Sequence, residues 1–221
     1  MMSIRISVHQ DIMRGNDEWA KRNRTILEEY NVFTINMLSS PGAGKTSLLE
    51  AVIPRLKPQL QVAVIEGDVC TTLDAERIAA LGVQAIQINT QGACHLDARM
   101  INEVVQSLPL SLIDLLIIEN VGNLVCPASF DLGEHCRVTV TSTTEGADKV
   151  EKYPEAFQRS HAILLNKIDL MPHLNFGIEQ FELGLRKIRS KAPIFHTSAK
   201  TGEGVQEWEE WLKKRVRRSI E

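Results

Sequence analysis

The sequence lacks a strong excess of charge of either sign. Its 221 residues include 25 Lys and Arg against 28 Asp and Glu, which gives a formal net charge of −3 at pH 7. A chain with this balance has no global basic field, so general nucleic-acid binding is excluded as a first hypothesis. The basic run at 213–218 is predicted to be a solvated helix end.

Long apolar runs are also missing. The longest are strand-sized, well below the ~20 residues that a membrane helix needs. The N-terminal stretch "MMSIRISVHQDIMRGNDEWAKRN" has no apolar segment typical of a signal peptide, so we expect a cytoplasmic protein.

Cysteine is scarce, with four residues at positions 70, 94, 126 and 136. In a reducing compartment these are expected to be thiols or metal ligands rather than disulfides. For any one of them the alternative is a small buried hydrophobic side chain.

The apolar residues that are present form alternating strand-like and helix-like patterns. The predicted strands are "VFTINML", "QVAVIEGD", "VQAIQIN", "IDLLIIE", "RVTVTST", "HAILLNK" and "APIFHTS", and helical patterns lie between most of them. Such alternation predicts an α/β fold with a mostly parallel β-sheet flanked by helices on both faces. The length fits one core. We expect an N-terminal helical segment over 1–30 and a nucleotide-binding domain over 31–221.

The N-terminal segment has a helical pattern with one candidate interruption, at Gly15-Asn16. Its predicted apolar stripe consists of Ile12, Trp19, Ile26 and Leu27.

A phosphate-binding loop is predicted from "SSPGAGKTS", which lies between a strand and a helix. It matches the pattern G-x-x-x-x-G-K-[ST], except that Ser39 takes the place of the first glycine. Glycines let the backbone form a nest of N–H donors around phosphates, at the positive end of a helix. Lys45 is expected to reach the β- and γ-phosphates and Thr46 to bind Mg²⁺. The predicted contacts are Gly42, Ala43, Gly44, Lys45, Thr46 and Ser47. The alternative is a glycine-rich helix start that binds nothing.

A guanine pocket is predicted from "NKID", which follows an apolar strand. The carboxylate of Asp169 can accept hydrogen bonds from N1–H and N2–H of guanine, a donor pair that adenine lacks. Asn166 can bond the purine edge and hold the phosphate loop, while the Lys167 stem can cover the base. About thirty residues later, Ser198-Ala199-Lys200 resembles a second guanine-contact loop. The pattern favours GTP over ATP.

Two predicted strands end in acids, Asp68 and Glu119. The carboxyl ends of parallel strands face the ligand crevice, so both acids are expected to reach the nucleotide and, with Thr46, Mg²⁺. The Gly122 N–H is expected to touch the γ-phosphate, and such segments order when that phosphate is bound. We expect catalysis to depend on Lys45, Asp68 and Glu119, at a slow rate because no glutamine takes the usual water-positioning place. The choice between the two acids stays open, and one of them could be only a helix cap.

A metal site is a further hypothesis. Cys94 and His95 are adjacent in the loop of "QGACHLDA", and Cys126 follows the second acid by seven residues. Thiolate and imidazole suit Zn²⁺, Ni²⁺ or Cu(I) rather than Mg²⁺, and three donors leave one position open. The spacing alone supports a purely structural role for these three residues equally well. His135-Cys136 is a competing pair, and Cys70 is a further thiol close to Asp68.

Six blocks together resemble the hydrogenase maturation GTPases of the HypB family. These are "SSPGAGKTSLLE", "GDVCTTLDAERI", "GACHLDA", "IENVGNLVCPASFDLGE", "TTEGADKVEKYP" and "LLNKIDL". The resemblance, which runs from about Val32 to Lys200, implies a P-loop GTPase that takes part in nickel insertion into a [NiFe]-hydrogenase precursor. It also implies a HypA-like partner, a homodimer, and Ni²⁺ or Zn²⁺ on Cys94, His95 and Cys126 at the dimer interface. The ion present at rest and the number of ions stay open.

The N-terminal part departs from some members of that family, since no cysteine precedes Cys70 and His9 is the single histidine there. Metal handling is therefore predicted for the nucleotide-binding domain. The main alternative, a UreG-like urease nickel GTPase, carries a Cys-Pro-His motif that is absent here. Another alternative, a GTPase chaperone of a cobalamin enzyme, would not explain the presence of Cys94, His95 and Cys126. A metal carrier with a vestigial nucleotide site is opposed by the intact Lys45 and Asp169.

Overall fold

The computed structural model describes residues 8–68 and 73–220, with side chains described between 13 and 218. Within these ranges there are seven strands: β1 (Phe33–Ser39), β2 (Val62–Asp68), β3 (Gln84–Asn89), β4 (Leu115–Glu119), β5 (Cys136–Ser142), β6 (Ala162–Asn166) and β7 (Ile194–His196). The α-helices of the same ranges are α1 (Val8–Glu29), α2 (Lys45–Leu56), α3 (Leu73–Ala79), α4 (Ala98–Val105), α5 (Cys126–Ser129), α6 (Lys149–Lys152), α7 (Pro154–Gln158), α8 (Ile178–Lys187) and α9 (Val205–Ile220). Short 3₁₀ turns lie at Leu110–Leu112, Thr143–Glu145 and Ile168–His173.

The strands form one parallel sheet in the order β3-β2-β4-β1-β5-β6-β7. This confirms the predicted α/β fold of the P-loop NTPase type. The first strand lies at the centre, between β4 and β5. The carboxyl ends of β1, β2 and β4 therefore meet at one edge, where the predicted phosphate loop and acids lie.

Helices cover both faces of the sheet, and alternate residues of one strand show it. Leu115 and Ile117 of β4 pack in the cluster that contains α2 and α9 residues such as Trp208. Leu116 and Ile118 pack in the opposite cluster, with Ile101 of α4. A strand buried on both faces needs apolar residues without alternation, which is why "LLII" is continuous.

Helix α1 runs through Gly15 and Asn16 without a break, so the predicted interruption is wrong. Its fully buried positions include Asn16, Ala20, Asn23 and Leu27, whereas Trp19 and Ile26 are half-buried. The apolar stripe is thus only partly the packing face, and the side chain of Ile12 lies outside the described residues.

The buried face of α1 holds polar side chains because they bond backbone groups. Asn23 Nδ2 donates to the carbonyl oxygens of Ala98 at 2.7 Å and Leu132 at 2.9 Å. A buried amide whose hydrogen bonds are made costs little, so α1 is attached to α4 by polar as well as apolar contacts.

The helical pattern between β5 and β6, "DKVEKYPEAFQR", is divided into α6 and α7 at Pro154. Proline has no N–H to continue a helix but suits the first position of a new one. Over the described residues, we find no helix with the combination of length and apolarity that a membrane crossing requires.

Candidate nucleotide and metal site

The loop after β1 has the backbone that a phosphate nest needs. Gly42 and Gly44 adopt φ of 74° and 98°, in the left-handed region that glycine enters without strain. A Cβ on Gly44 would lie 2.5 Å from Asn166 Nδ2. Ser39, which takes the place of the first glycine of the loop pattern, accepts a 2.8 Å hydrogen bond from Lys45 Nζ, so the serine helps to position the lysine.

The predicted base-binding residues converge on the same loop. Asn166 donates to the Ala43 carbonyl oxygen at 3.0 Å and accepts from the Ala199 N–H at 3.2 Å. Lys167 has a left-handed backbone, with φ of 62°, and its Nζ donates to the Gly42 carbonyl oxygen at 2.7 Å. The two segments that were expected to contact guanine are therefore joined to each other and to the phosphate loop.

Asp169 lies beside the second segment, where its Oδ1 accepts a 2.7 Å hydrogen bond from the Ser198 hydroxyl. Together with Lys167 and Lys200 it lines a cavity of about 610 Å³. A second cavity of about 540 Å³ lies over the phosphate loop and the ends of β2 and β4. Gly44, Ser47 and Lys167 line both cavities, so the two adjoin as one cleft with a base end and a phosphate end.

The phosphate end contains the predicted acids. Thr46 Oγ1 donates to Glu119 Oε1 at 2.9 Å, and Lys45 Nζ lies 3.8 Å from the same oxygen. Burial raises the pKa of Glu119, an effect that the Lys45 ammonium group opposes. Asp68, at the end of β2, and Gly122 also line this cavity. Glu119 is thus in contact with the loop rather than capping a helix.

One acid of this site was missed by the sequence reasoning. Glu66 is 2% exposed and pairs in register with Glu119 across β2 and β4. Burial, and next the Glu119 carboxylate, raises its pKa to about 10. Its Oε1 finds no hydrogen-bond partner among the described residues. The signal was an acid inside an apolar strand two residues before Asp68, a spacing that puts both side chains on one face.

The three predicted metal ligands come together. The donor atoms of Cys94, His95 and Cys126 all lie within 4.8 Å of one another, the single such group of three among the described residues. Cys94 Sγ is 3.7 Å from His95 Nδ1. Hydrogen bonding to Cys94, and next burial, raises the pKa of the Cys126 thiol. Burial lowers the pKa of His95, which keeps the imidazole neutral and able to ligate.

The environment of the trio fits a soft ion held at an open position. The His95 ring packs on Phe130, with 4.0 Å between centroids. Asn123, in the loop between Glu119 and Cys126, donates to the Cys94 carbonyl oxygen at 3.3 Å. Two thiols and one imidazole are donors that Ni²⁺ and Zn²⁺ accept, and Mg²⁺ avoids.

The competing pair, His135 and Cys136, makes packing contacts within the domain instead. His135 Nδ1 accepts from the Thr34 N–H at 3.0 Å, and its ring stacks on Phe33. Cys136 begins β5 and is 3% exposed. Their side chains serve two different packing roles, which excludes a joint metal site. Cys70 lies outside the described residues.

These features define a P-loop nucleotide-binding protein whose cleft brings together the residues predicted to contact the base and the phosphates, and which also carries a Cys/His cluster. The comparisons with known proteins agree. The family model "CobW/HypB/UreG, nucleotide-binding domain" matches residues 33–196. The chain belongs to the CobW/HypB/UreG family, and within it to the HypB hydrogenase maturation factors.

The chain is 48% identical over 207 residues to the hydrogenase maturation factor HypB of Escherichia coli strain K12, a match that covers 94% of this chain and 71% of that protein. It is 40% identical to the probable HypB of Methanocaldococcus jannaschii, with 96% of both chains covered. A crystal structure of Helicobacter pylori HypB in complex with nickel matches with a TM-score of 0.88 and 38% identity, over 92% of this chain and 96% of that one.

Proposed function

We propose that this protein is a GTP-hydrolysing metallochaperone that delivers nickel during [NiFe]-hydrogenase maturation. The observation that carries the proposal is one loop: it begins at Glu119 in the phosphate end of the cleft and reaches Cys126 in the Cys/His cluster. Nucleotide and metal sites whose residues Glu119 and Cys126 are seven positions apart on one loop have the means to affect each other.

The nucleotide is GTP. Asp169 faces the base end of the cleft with Asn166 and Ala199 bonded beside it, which positions a carboxylate for the two adjacent N–H donors of guanine. Lys200 completes that wall, and the buried Ser198 hydroxyl donates a hydrogen bond to Asp169. An adenine ring would leave the Asp169 carboxylate facing an unprotonated ring nitrogen, and an unpaired charge is costly to bury.

Hydrolysis uses groups already at the phosphate end. Lys45 neutralises charge on the β- and γ-phosphates, and the N–H groups of the loop bind them. Thr46, Asp68 and Glu119 are the oxygen donors that would hold Mg²⁺, which supplies further charge neutralisation when bound. Glu119 or Asp68 orients the attacking water. The Thr46–Glu119 hydrogen bond supports this assignment, because it places two of the oxygens 2.9 Å apart.

Nickel is the cargo, bound by Cys94, His95 and Cys126, and Zn²⁺ suits the same donors. The Helicobacter pylori relative, whose structure is described as a complex with nickel, supports this choice. Three protein donors leave room for an acceptor ligand during transfer. The partners we propose are a second copy of this chain, a HypA-like nickel chaperone and, through it, the hydrogenase large-subunit precursor. The names of the relatives support the hydrogenase as destination over a UreG-like role in urease maturation.

Steady-state GTP turnover and nickel binding test the proposal together. Wild-type protein should release phosphate from GTP slowly, Lys45→Ala should lower the rate at least ~100-fold, and one Cys/His-dependent Ni²⁺ site should be measurable by calorimetry. Equal turnover in wild type and Lys45→Ala would overturn the enzymatic part. Nickel binding that persists after Cys94→Ala with Cys126→Ala would overturn the metal part.

A further inference from the structure

Asn120 follows Glu119 directly but contacts the other face of the sheet. Glu119 meets Thr46 on the nucleotide side, whereas Asn120 meets Leu96, a residue of the cluster that contains α4. Asn120 is 1% exposed. The acid that faces the nucleotide and the residue that contacts the opposite layer are therefore consecutive in the backbone.

Both polar atoms of the Asn120 side-chain amide make hydrogen bonds. Its Oδ1 accepts hydrogen bonds from the Leu96 N–H at 3.1 Å and the Val121 N–H at 2.9 Å, and its Nδ2 donates to Asn36 Oδ1 at 3.2 Å. Leu96 is the residue after His95, so this one oxygen joins the backbone of the phosphate-sensing loop to the backbone of the metal-binding loop.

Leu96 is itself held in place at the end of β2. Its side chain is completely buried and lies against Gly67, where an added Cβ would come within 2.7 Å of Leu96 Cδ1. Because Gly67 precedes Asp68, the metal loop is packed against both strand ends that carry acids. Leu96 is thus joined to the end of β2 by packing against Gly67 and to the end of β4 by the hydrogen bond to Asn120.

Asn36 also belongs to a second, longer hydrogen-bond network, which reaches the segment after Cys126. Its Nδ2 lies 3.4 Å from Glu134 Oε1, which in turn accepts from Arg137 at 2.8 Å. Arg137 donates to the carbonyl oxygens of Ala128, at 2.6 Å, and Phe130, at 3.0 Å. These two residues belong to the segment that starts at Cys126 and ends on the His95 ring. The network is buried, where hydrogen bonds are strong and directional.

We infer that Asn120 is the positioning residue that couples nucleotide state to the geometry of the Cys94, His95 and Cys126 site. The inference rests on the proposed function. When the γ-phosphate orders the loop from Glu119 to Gly122, Asn120 moves with it, and the Leu96 N–H follows. His95 and Cys94 thereby shift relative to Cys126. Without Asn120, both sites persist but bind their ligands independently.

The test is the ratio of Ni²⁺ dissociation constants with GDP and with a non-hydrolysable GTP analogue, measured by calorimetry in the presence of Mg²⁺. Coupling between sites is typically about 5- to 150-fold, and we expect wild type in that range. Asn120→Ala should bring the ratio close to one while GDP affinity without nickel stays within a few-fold. By reciprocity, nickel should also lose its effect on GTP-analogue affinity.

Asn102→Ala is the matched control. Asn102 is equally buried and hydrogen-bonded, to Asn23 and Gln106, but it lies in the α1–α4 contact and outside the network. It should lower thermal stability as Asn120→Ala does and keep the wild-type ratio.

If Asn120→Ala does not fold, Asn120→Asp keeps the acceptor oxygen for Leu96 and Val121 and loses the donor to Asn36. That variant should retain part of the coupling, and Asn36→Ala should behave like it.

The outcomes separate the inference from the proposed function. A wild-type ratio above about five that survives unchanged in Asn120→Ala, or is lost equally in Asn102→Ala, overturns the role of Asn120 alone. A wild type that binds neither GTP nor nickel overturns the proposed function. A wild type that binds both, with a ratio of one, overturns the inference and leaves the proposed function standing.

Discussion

The hydroxyl of Thr46 donates a hydrogen bond to Oε1 of Glu119 across 2.9 Å, in a site where both residues are more than nine-tenths buried. Thr46 lies in the first turn of α2, after the phosphate loop, and Glu119 ends β4. The pair therefore joins the loop to the sensing strand in the state that the structure describes. A divalent ion between them would take over this contact.

Replacing Glu119 by Gln should abolish most Mg²⁺-dependent GTP hydrolysis. A metal ion contributes several kcal/mol of charge stabilisation, so we expect a loss of about 100-fold or more in kcat. GDP binding in the absence of Mg²⁺ should change little, since the amide still accepts from Thr46. Phosphate release and GDP titration measure the two effects. Thr46→Ser, which keeps the hydroxyl, should retain activity, and a Glu119→Gln variant with wild-type turnover would contradict the role of the acid.

Replacing Asp169 by Asn should change base preference. The variant loses two charge-assisted hydrogen bonds to guanine, each worth about 1.5–3 kcal/mol, so GTP affinity should fall by about 10²- to 10⁴-fold. Its amide N–H₂ can instead donate to the second carbonyl of xanthine. The remaining oxygen still accepts from Ser198, which preserves the local structure. Competition between GTP, XTP and ATP for a fluorescent nucleotide measures the change.

Lys167→Ala is the companion variant for that experiment. It removes the hydrogen bond to the Gly42 carbonyl oxygen and the cover over the base, so it should weaken GTP, XTP and ATP alike. Unaltered preference in Asp169→Asn would show that the base lies elsewhere.

Replacing Cys126 by Ala should weaken Ni²⁺ binding by at least ~10-fold and leave GTP affinity of the metal-free protein nearly intact. The thiol lies in the Cys94 and His95 group and does not line the nucleotide cleft. Competition against a metal-chelating dye measures the first quantity. Cys136→Ala is the control, because that thiol is buried in the core; nickel affinity there should match wild type. Equal nickel affinity in both variants would remove Cys126 from the ligand set.

The stability of the protein should decrease as the pH falls through about 6.5. His161 Nδ1 accepts a hydrogen bond from the Arg137 N–H at 3.0 Å. Although the residue as a whole is exposed, partial desolvation of its imidazole, with Arg215 and Arg137 nearby, lowers the pKa of that ring. The unfolded chain, with a histidine pKa near 6.5, then binds the proton more strongly than the folded chain. The contribution of His161 is therefore present above the unfolded pKa and is lost on acidification.

His161→Asn places an uncharged oxygen near the position of Nδ1. Urea unfolding at pH 7.5 and 5.5 should show a smaller loss of stability for this variant than for wild type. The control is His173→Asn, at an exposed position, which should keep the wild-type pH dependence. A His161→Asn variant with unchanged pH dependence would show that other groups control it.

Much of the fold could be predicted because the signals are local. A parallel strand that is buried on both faces has to be a continuous apolar run, and "LLIIE", "VAVIEGD" and "AILLN" are such runs. The phosphate loop and "NKID" were predicted for the same reason, since backbone geometry and base chemistry demand particular residues within a few positions. Helix α1 was less predictable, because Asn16 and Asn23 are polar by type but buried through bonds to distant carbonyl oxygens.

The sequence by itself determined the chemistry that is available here: a lysine and glycines for phosphates, an aspartate for guanine, and thiols with an imidazole for a soft metal. Only the tertiary structure decided which of these groups meet. The strand order places Glu66 in register with Glu119 and Cys136 in the core. It packs His135 on Phe33 and brings Cys94 and His95 to Cys126. It also places Asn120 against Leu96, 24 residues away. Such contacts depend on register and layer packing between distant segments, and a spacing along one chain does not encode them.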